Sequence, residues 1–192
     1  MKVLFLTNNK NTEALYTWLL DKCFIQVCHE KLEGIEQLRT LSPDIVISYN
    51  YRYIIQEDII EYMKGKIYNL HTSYLPWNKG ADANFWSFYE DTPKGVTIHQ
   101  IDKGLDTGKI LYQKQCILKP EEETFQTSYD KLHQMMDELF KEKWEEIKAG
   151  TYPLVEQKGE GSYHAKRELI ELREKHPFDW SDNIAEYLRR SR

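Results

Sequence analysis

Two polar side chains of unlike chemistry stand two positions apart in the stretch NLHTSYLPWNKG, residues 69–80: Asn69 and His71. The apolar run GKIYNLH leads into them, and Pro76, Asn78 and Gly80 break regular structure after them. In an extended strand, side chains two positions apart leave the same face, so the amide and the imidazole would point together. A carboxylate, Asp106, follows in the glycine-bearing stretch DKGLDTG. An amide, an imidazole and a carboxylate form a kit for acyl transfer. The amide donates to an oxyanion, the histidine supplies a second donor or moves a proton, and the carboxylate sets the charge and orientation of the histidine. No serine or cysteine nearby sits in a nucleophile motif, which favours direct attack by a substrate amine over a covalent enzyme intermediate.

Each of these groups also has a plainer use. A single histidine at a strand end is often an ordinary hydrogen-bonding residue, and His71 alone decides nothing. His71, His99, Asp102 and Asp106 offer nitrogen and oxygen ligands for a metal, yet no pair has the helical spacing of a zinc hydrolase and no cysteine lies close in sequence. The expectation is therefore no metal, with His99 a satisfied structural histidine. The stretch TNNKNTEAL stands where an anion-binding turn belongs, after the first apolar run. It has no glycine for a tight cradle, and an N-cap by Asn11 or Thr12 accounts for it better. The aromatic stretch NYRYII, residues 50–55, either packs at the core and its rim or walls a slot for a flat heterocycle.

Elements must hold these groups in place. The runs KVLFL, FIQVC, DIVIS and KIYNL alternate with segments of helical length at residues 12–22, 32–41 and 57–63. That alternation predicts βαβ units and an α/β, Rossmann-like, mostly parallel twisted sheet with flanking helices. Continuous apolar runs suit strands buried on both faces. A helix is expected over 82–89, then strands at GVTIHQI and ILYQKQCIL, then a long helix over 121–148. Its apolar residues, among them Phe125, Leu132, Met136 and Phe140, recur at helical spacing and read as a packing face. Residues 1–150 would make one catalytic domain, with 151–192 a polar extension packed on it and a terminal helix near Asn183. Open sheets of this kind bind ligands at the carboxyl ends of their strands, which would bring the loops after residues 71 and 101 to one crevice.

The chain has 192 residues, enough for one core, and its 41% hydrophobic content argues against disorder. A net charge of -5 weighs against non-specific nucleic-acid binding. Three cysteines at unrelated positions suggest reduced thiols, and the short apolar run MKVLFL is neither a signal core nor a span. A cytoplasmic protein without membrane or nucleic-acid partners is expected.

The stretch NLHTSYLPWNKG followed by GVTIHQIDKGLDTGKIL resembles the formyltransferases that use 10-formyltetrahydrofolate, and the likeness covers residues 2–115 well. It implies a Rossmann-like fold and a catalytic set of Asn69, His71 and Asp106. It implies that the pterin ring is held by Tyr51, Arg52, Tyr53, Ile54 and Ile55 together with Asp102, Lys103, Gly104 and Leu105. Trp77 and Lys79, in the segment after His71, would contact the acceptor. Methionyl-tRNA formyltransferases carry a basic second domain, and with an acidic chain and a short stretch after the long helix that branch is not expected; TNNKN departs from the glycine-rich loop of the glycinamide ribonucleotide enzymes. GEGSYHAKRE, residues 159–168, resembles a stretch of the sugar N-formyltransferases, which formylate a 4-amino group on a nucleotide-linked deoxysugar, as in surface polysaccharide synthesis. Formylation domains of peptide synthetases are similar too, with Asp91 here in place of their Glu. The expected partner is thus a nucleotide-linked amino sugar, the alternatives being a carrier-bound aminoacyl acceptor or a non-catalytic binder. Aromatic residues in the tail would serve as a homodimer seam.

Overall fold

In the computed structural model, which describes Met1–Arg192, the first apolar run forms strand β1, Lys2–Leu6, with every side chain from Val3 to Leu6 buried. Strands β2 (Phe24–Cys28), β3 (Ile45–Tyr49) and β4 (Ile67–His71) follow, separated by helices α1 (Glu13–Leu20), α2 (Ile35–Leu41) and α3 (Glu57–Met63). β1 pairs in parallel with β2 and β3, and β3 with β4. The buried runs of β1 and β3 are those of strands covered on both faces. The chain continues through β5 (Lys79–Gly80), α4 (Ala83–Tyr89), β6 (Lys94–Gln100), β7 (Ile110–Cys116) and α5 (Phe125–Ala149). It ends in β8 (Tyr163–His164), α6 (Lys166–Lys175) and α7 (Ile184–Ser191). The main sheet has six strands in the order β2-β1-β3-β4-β6-β7, and β5 and β8 form a separate two-stranded ribbon.

The sheet is mixed and mostly parallel. Ile101 N–H donates to Ile67 C=O at 2.9 Å, and Asn69 lies beside His99, so residue numbers fall along β6 as they rise along β4. β6 is therefore the reversed strand. Gln100 N–H meets Lys109 C=O at 2.8 Å, while a Cβ at Gly95 would lie 2.3 Å from the Lys114 oxygen, so β7 reverses again.

Contacts divide the chain into two compact units. The first comprises Met1–His71, Ile98–Leu111 and Pro153–Glu156. Its core packs Leu4, Leu6, Leu38, Val46, Ile59 and Ile67, with Tyr51 and Ile55 against its edge. The second comprises Thr72–Thr97, Tyr112–Tyr152 and Gln157–Arg192. Its core is aromatic: Phe85, Trp86, Phe88, Phe125, Phe178 and Tyr187 gather with Leu169 and Ile184.

Helix ends follow their caps. α5 begins at Phe125, later than the expected 121, because Thr124 accepts from Thr127 N–H in a capping box and Pro120–Glu122 forms a short 3-10 turn. It stops at Gly150, whose φ of 71° suits a residue without Cβ. Asn183 caps α7 through Glu186 N–H at 3.1 Å. α6 was not among the expected helices. The tail aromatics expected to form a dimer seam are in part core. Phe178 and Tyr187 are 7% and 0% exposed, whereas Tyr163 is 53% exposed. No helix is long and apolar enough to cross a membrane.

Two titratable groups on α5 respond to acid in opposite directions. Burial pushes the His133 imidazole from its ordinary 6.5 down to about 4. Burial also raises Asp137, one turn further on, to about 6. Between those values an unfolded histidine takes up a proton that folded His133 refuses, so stability falls on acidification by about 1.4 kcal/mol per pH unit. Asp137 binds its proton earlier in the folded state and opposes that loss. Denaturant unfolding at pH 7 and pH 5 is expected to show a smaller loss for His133→Gln than for the unchanged protein. Equal losses would count against a neutral buried His133.

Candidate active site

β4 ends by turning Asn69 and His71 to one face, as alternation along a strand requires. Asn69 is half-buried and His71 is 9% exposed. Asp106, also 9% exposed, comes from the loop 101–109 between β6 and β7. The Asn69 Nδ2 donates to Asp106 Oδ1 at 3.0 Å. The other carboxylate oxygen, Oδ2, lies 3.7 Å from His71 Nε2, an ion-pair distance longer than a hydrogen bond. Two neighbours on β4 and a carboxylate far along the chain thus surround one small volume within the first unit.

His99 completes the cluster. Its Nδ1 lies 2.7 Å from the Gln100 carbonyl, which can only accept, so Nδ1 carries a hydrogen. Its Nε2 lies 3.3 Å from Asn69 Nδ2 and 3.4 Å from Asp106 Oδ1. A neutral ring accepts there from the Asn69 amide, and a charged ring donates to Asp106. His99 is a hydrogen-bonded buried residue, as expected, but it also touches the candidate set, which was not. The signal was the strand direction: with β6 antiparallel, His99 falls opposite Asn69. The same reversal corrects the expected meeting of the two loops at the carboxyl ends of parallel strands. The loop 101–109 starts beside Ile67, at the beginning of β4, and Asp106 meets Asn69 across the sheet face.

The loop holds its carboxylate by local means. Asp106 has φ 53°, a left-handed conformation that aspartate tolerates better than most residues. Asp102 accepts from Gly104 N–H at 3.1 Å and from the Thr107 hydroxyl at 2.6 Å, closing a turn beneath Asp106. Gly108 is required because a Cβ there would sit 1.8 Å from the Gln100 oxygen.

The residues expected at a pterin slot have mixed surroundings. The Tyr51 hydroxyl donates to Glu30 C=O at 2.7 Å and accepts from Leu32 N–H at 3.0 Å, and burial pushes its pKa up. Ile55 packs against the core beside it. Arg52 N–H bonds the Asn8 side chain at 3.0 Å, and its guanidinium lies 4.8 Å over the Tyr53 ring. Ile54 and Leu105 stay 83% and 49% exposed. Lys103 joins the two stretches: it pairs with Glu57, at the start of α3 just past Ile55, and reaches Glu61 at 3.4 Å. Trp77 and Lys79 belong to the second unit. Trp77 is half-buried, with its N–H on Tyr74 C=O at 3.2 Å, and Lys79 N–H donates to Ser162 C=O at 2.9 Å. No group of three or more His, Cys, Asp or Glu side chains is arranged to hold a metal ion.

An amide and an imidazole beside a buried carboxylate are suited to acyl transfer. Residues 7–143 match the formyl transferase family, and the chain belongs to it. It is an α/β, Rossmann-like formyltransferase. Among solved structures it is similar to the formyltransferase PseJ from Anoxybacillus kamchatkensis, in complex with UDP-4,6-dideoxy-4-formamido-L-AltNAc and tetrahydrofolate. That likeness has 39% identity and a TM-score of 0.87, over 98% of this chain and 97% of that one. A sugar N-formyltransferase from Shewanella shares the fold at 17% identity and a TM-score of 0.79, over 100% and 87% of the two chains. So does an N-formyltransferase from Helicobacter canadensis in complex with folinic acid and dTDP-3-aminofucose, at 21% identity and a TM-score of 0.72, over 87% and 71%.

Gly108→Ala tests how the loop holds Asp106. Its methyl group would meet backbone, which yields poorly, so a loss of about 1–3 kcal/mol is expected together with a fall in formyl transfer. Unchanged melting and turnover would show that the loop is not confined there.

Proposed function

We propose that the protein transfers the formyl group of 10-formyltetrahydrofolate to the primary amine of a nucleotide-linked amino deoxysugar. The observation that carries this reading is the near full-length likeness to a formyltransferase in complex with a UDP-linked formamido sugar and tetrahydrofolate. The exposed apolar pair Ile54 and Leu105, in stretches joined through Lys103 and Glu57, fits a flat ring that needs apolar cover. Tyr51, Arg52, Tyr53, Ile54 and Ile55, with Asp102, Lys103, Gly104 and Leu105, would hold it. When bound, the cosubstrate supplies a formyl carbon open to attack by an amine.

The chain's own groups have three tasks in this reading. Asn69 and a protonated His71 donate to the formyl oxygen as it gains negative charge. Both Asn69 amide hydrogens face partners, Asp106 at 3.0 Å and His99 at 3.3 Å, so donation exchanges the longer contact for the formyl oxygen. Asp106 faces His71 at 3.7 Å and takes up the amine proton, directly or through one water, for return to the nitrogen of tetrahydrofolate that departs from the formyl carbon. Trp77 and Lys79 contact the acceptor, and holding both reactants together removes much of the entropic barrier.

Single-turnover rates with defined nucleotide-linked amino sugars test the catalytic assignment. Asn69→Ala and His71→Ala are each expected to slow formyl transfer by about 10²-fold or more while remaining folded. Rates near those of the unchanged protein would remove these residues from the chemistry. The slot has its own test. A crystal soaked with a reduced folate is expected to show the pterin beside Tyr53 and Ile54, and a pterin bound elsewhere would overturn that assignment. The same assay, run with a carrier-bound aminoacyl group in place of the sugar, separates the two acceptor classes.

A further inference from the structure

The stretch GEGSYHAKRE and the segment that leaves β4 are built into each other within the second unit. β8 pairs in parallel with β5, setting Lys79 opposite Tyr163 and Gly80 opposite His164. Asn78 N–H donates to the Ser162 hydroxyl, Lys79 N–H to Ser162 C=O and Ala81 N–H to His164 C=O, each at 2.9 Å. In return, Ser162 N–H donates to Pro76 C=O at 3.3 Å. Glycine stands at both crossing points because nothing larger fits. A Cβ at Gly161 would lie 1.9 Å from the Pro76 oxygen, and one at Gly80 would lie 2.4 Å from the His164 oxygen.

The two residues of β8 face opposite ways. Tyr163 is 53% exposed, next to Lys79, whereas His164 is 6% exposed. His164 Nδ1 lies 3.1 Å from Glu168 Oε2, and its Nε2 lies 3.2 Å from Glu90 Oε2. Ionised carboxylates only accept, so a ring that bonds to both must donate from both nitrogens, as an imidazolium. The ring also stacks on Trp86, with centroids 4.0 Å apart and planes 8° apart. Glu168 is fixed in turn, since its other oxygen accepts from Ala165 N–H at 2.9 Å. One side chain therefore binds the end of α4, the first turn of α6 and the ribbon together.

A phenylalanine would fill the same space against Trp86. Ion pairs that leave water contribute little net stability beside apolar packing of equal volume, and their advantage is geometric. A ring held at both nitrogens and on one face has a single orientation. On the reading that this segment meets the acceptor, we propose that His164 is a positioning residue of the acceptor site. It sets the β5–β8 ribbon so that the Lys79 ammonium faces the diphosphate and the Tyr163 ring faces the base of the nucleotide-linked sugar. An exposed ring suits stacking on a base, and a lysine suits a phosphate as a point charge.

Steady-state kinetics on the full chain, with 10-formyltetrahydrofolate and a panel of nucleotide-linked 4-amino sugars, tests this. His164→Phe keeps the stack on Trp86 and loses both carboxylate contacts. It is expected to raise the acceptor KM about tenfold, with kcat and the folate KM within about twofold. Glu90→Gln loosens one contact only and should raise the acceptor KM less. It carries the test alone if His164→Phe does not fold. An unchanged acceptor KM in the folded variants overturns the inference while leaving the proposed activity intact. So does an equal loss in both KM values and kcat. If the unchanged protein formylates none of the amino sugars, the proposed activity falls, and the positioning role with it.

Discussion

The hydrogen bond from Asn69 to Asp106, 3.0 Å long, constrains the rest of the candidate site. Asp106 is nearly buried, and a buried carboxylate is costly unless donors surround it. Its donors come from two neighbouring antiparallel strands, so the loop that carries it has to be held against both. The Asp102 turn, the left-handed backbone at Asp106 and the absence of a side chain at Gly108 all serve that end. Each is a local feature that would be unfavourable or indifferent without the bond to Asn69. The carboxylate therefore organises the loop, and the loop in turn fixes what faces His71.

Much of this was legible in the sequence, and the rest failed for identifiable reasons. The four apolar runs of the first half became parallel strands; those of β1 and β3 are continuously apolar because both faces are covered, whereas the edge strand β2 has no buried side chain. The spacing of Asn69 and His71 sufficed to put them on one face. What the pattern did not carry was the direction of β6, since KGVTIHQ is equally apolar run either way. Direction decides the partner across the ladder, so His99 read only as a satisfied histidine, without its contact to Asn69. α6 escaped for a different reason. KRELIELREK buries Leu169 alone, so its apolar face is too thin to show as a helical stripe. The tail aromatics misled in the opposite sense. Sequence places an aromatic residue in a polar stretch but does not say that Phe178 and Tyr187 turn inward to meet Phe85 and Phe125.

Histidine and carboxylate meet in both units, under different constraints. In the first unit the closest approach of His71 to Asp106 is 3.7 Å, while His99 is held on its far side by a backbone carbonyl. In the second, His164 has a carboxylate within 3.2 Å of each nitrogen and an indole on its face. A group that moves protons has to change partners during a reaction. A group that holds structure gains from the reverse, because every additional bond removes an orientation. The two histidines thus differ in how close their carboxylates come: 3.7 Å for His71, and 3.1 and 3.2 Å for the two nitrogens of His164. Sequence alone could not have made that comparison, because each ring meets a carboxylate from far along the chain, Asp106 for His71 and Glu90 for His164.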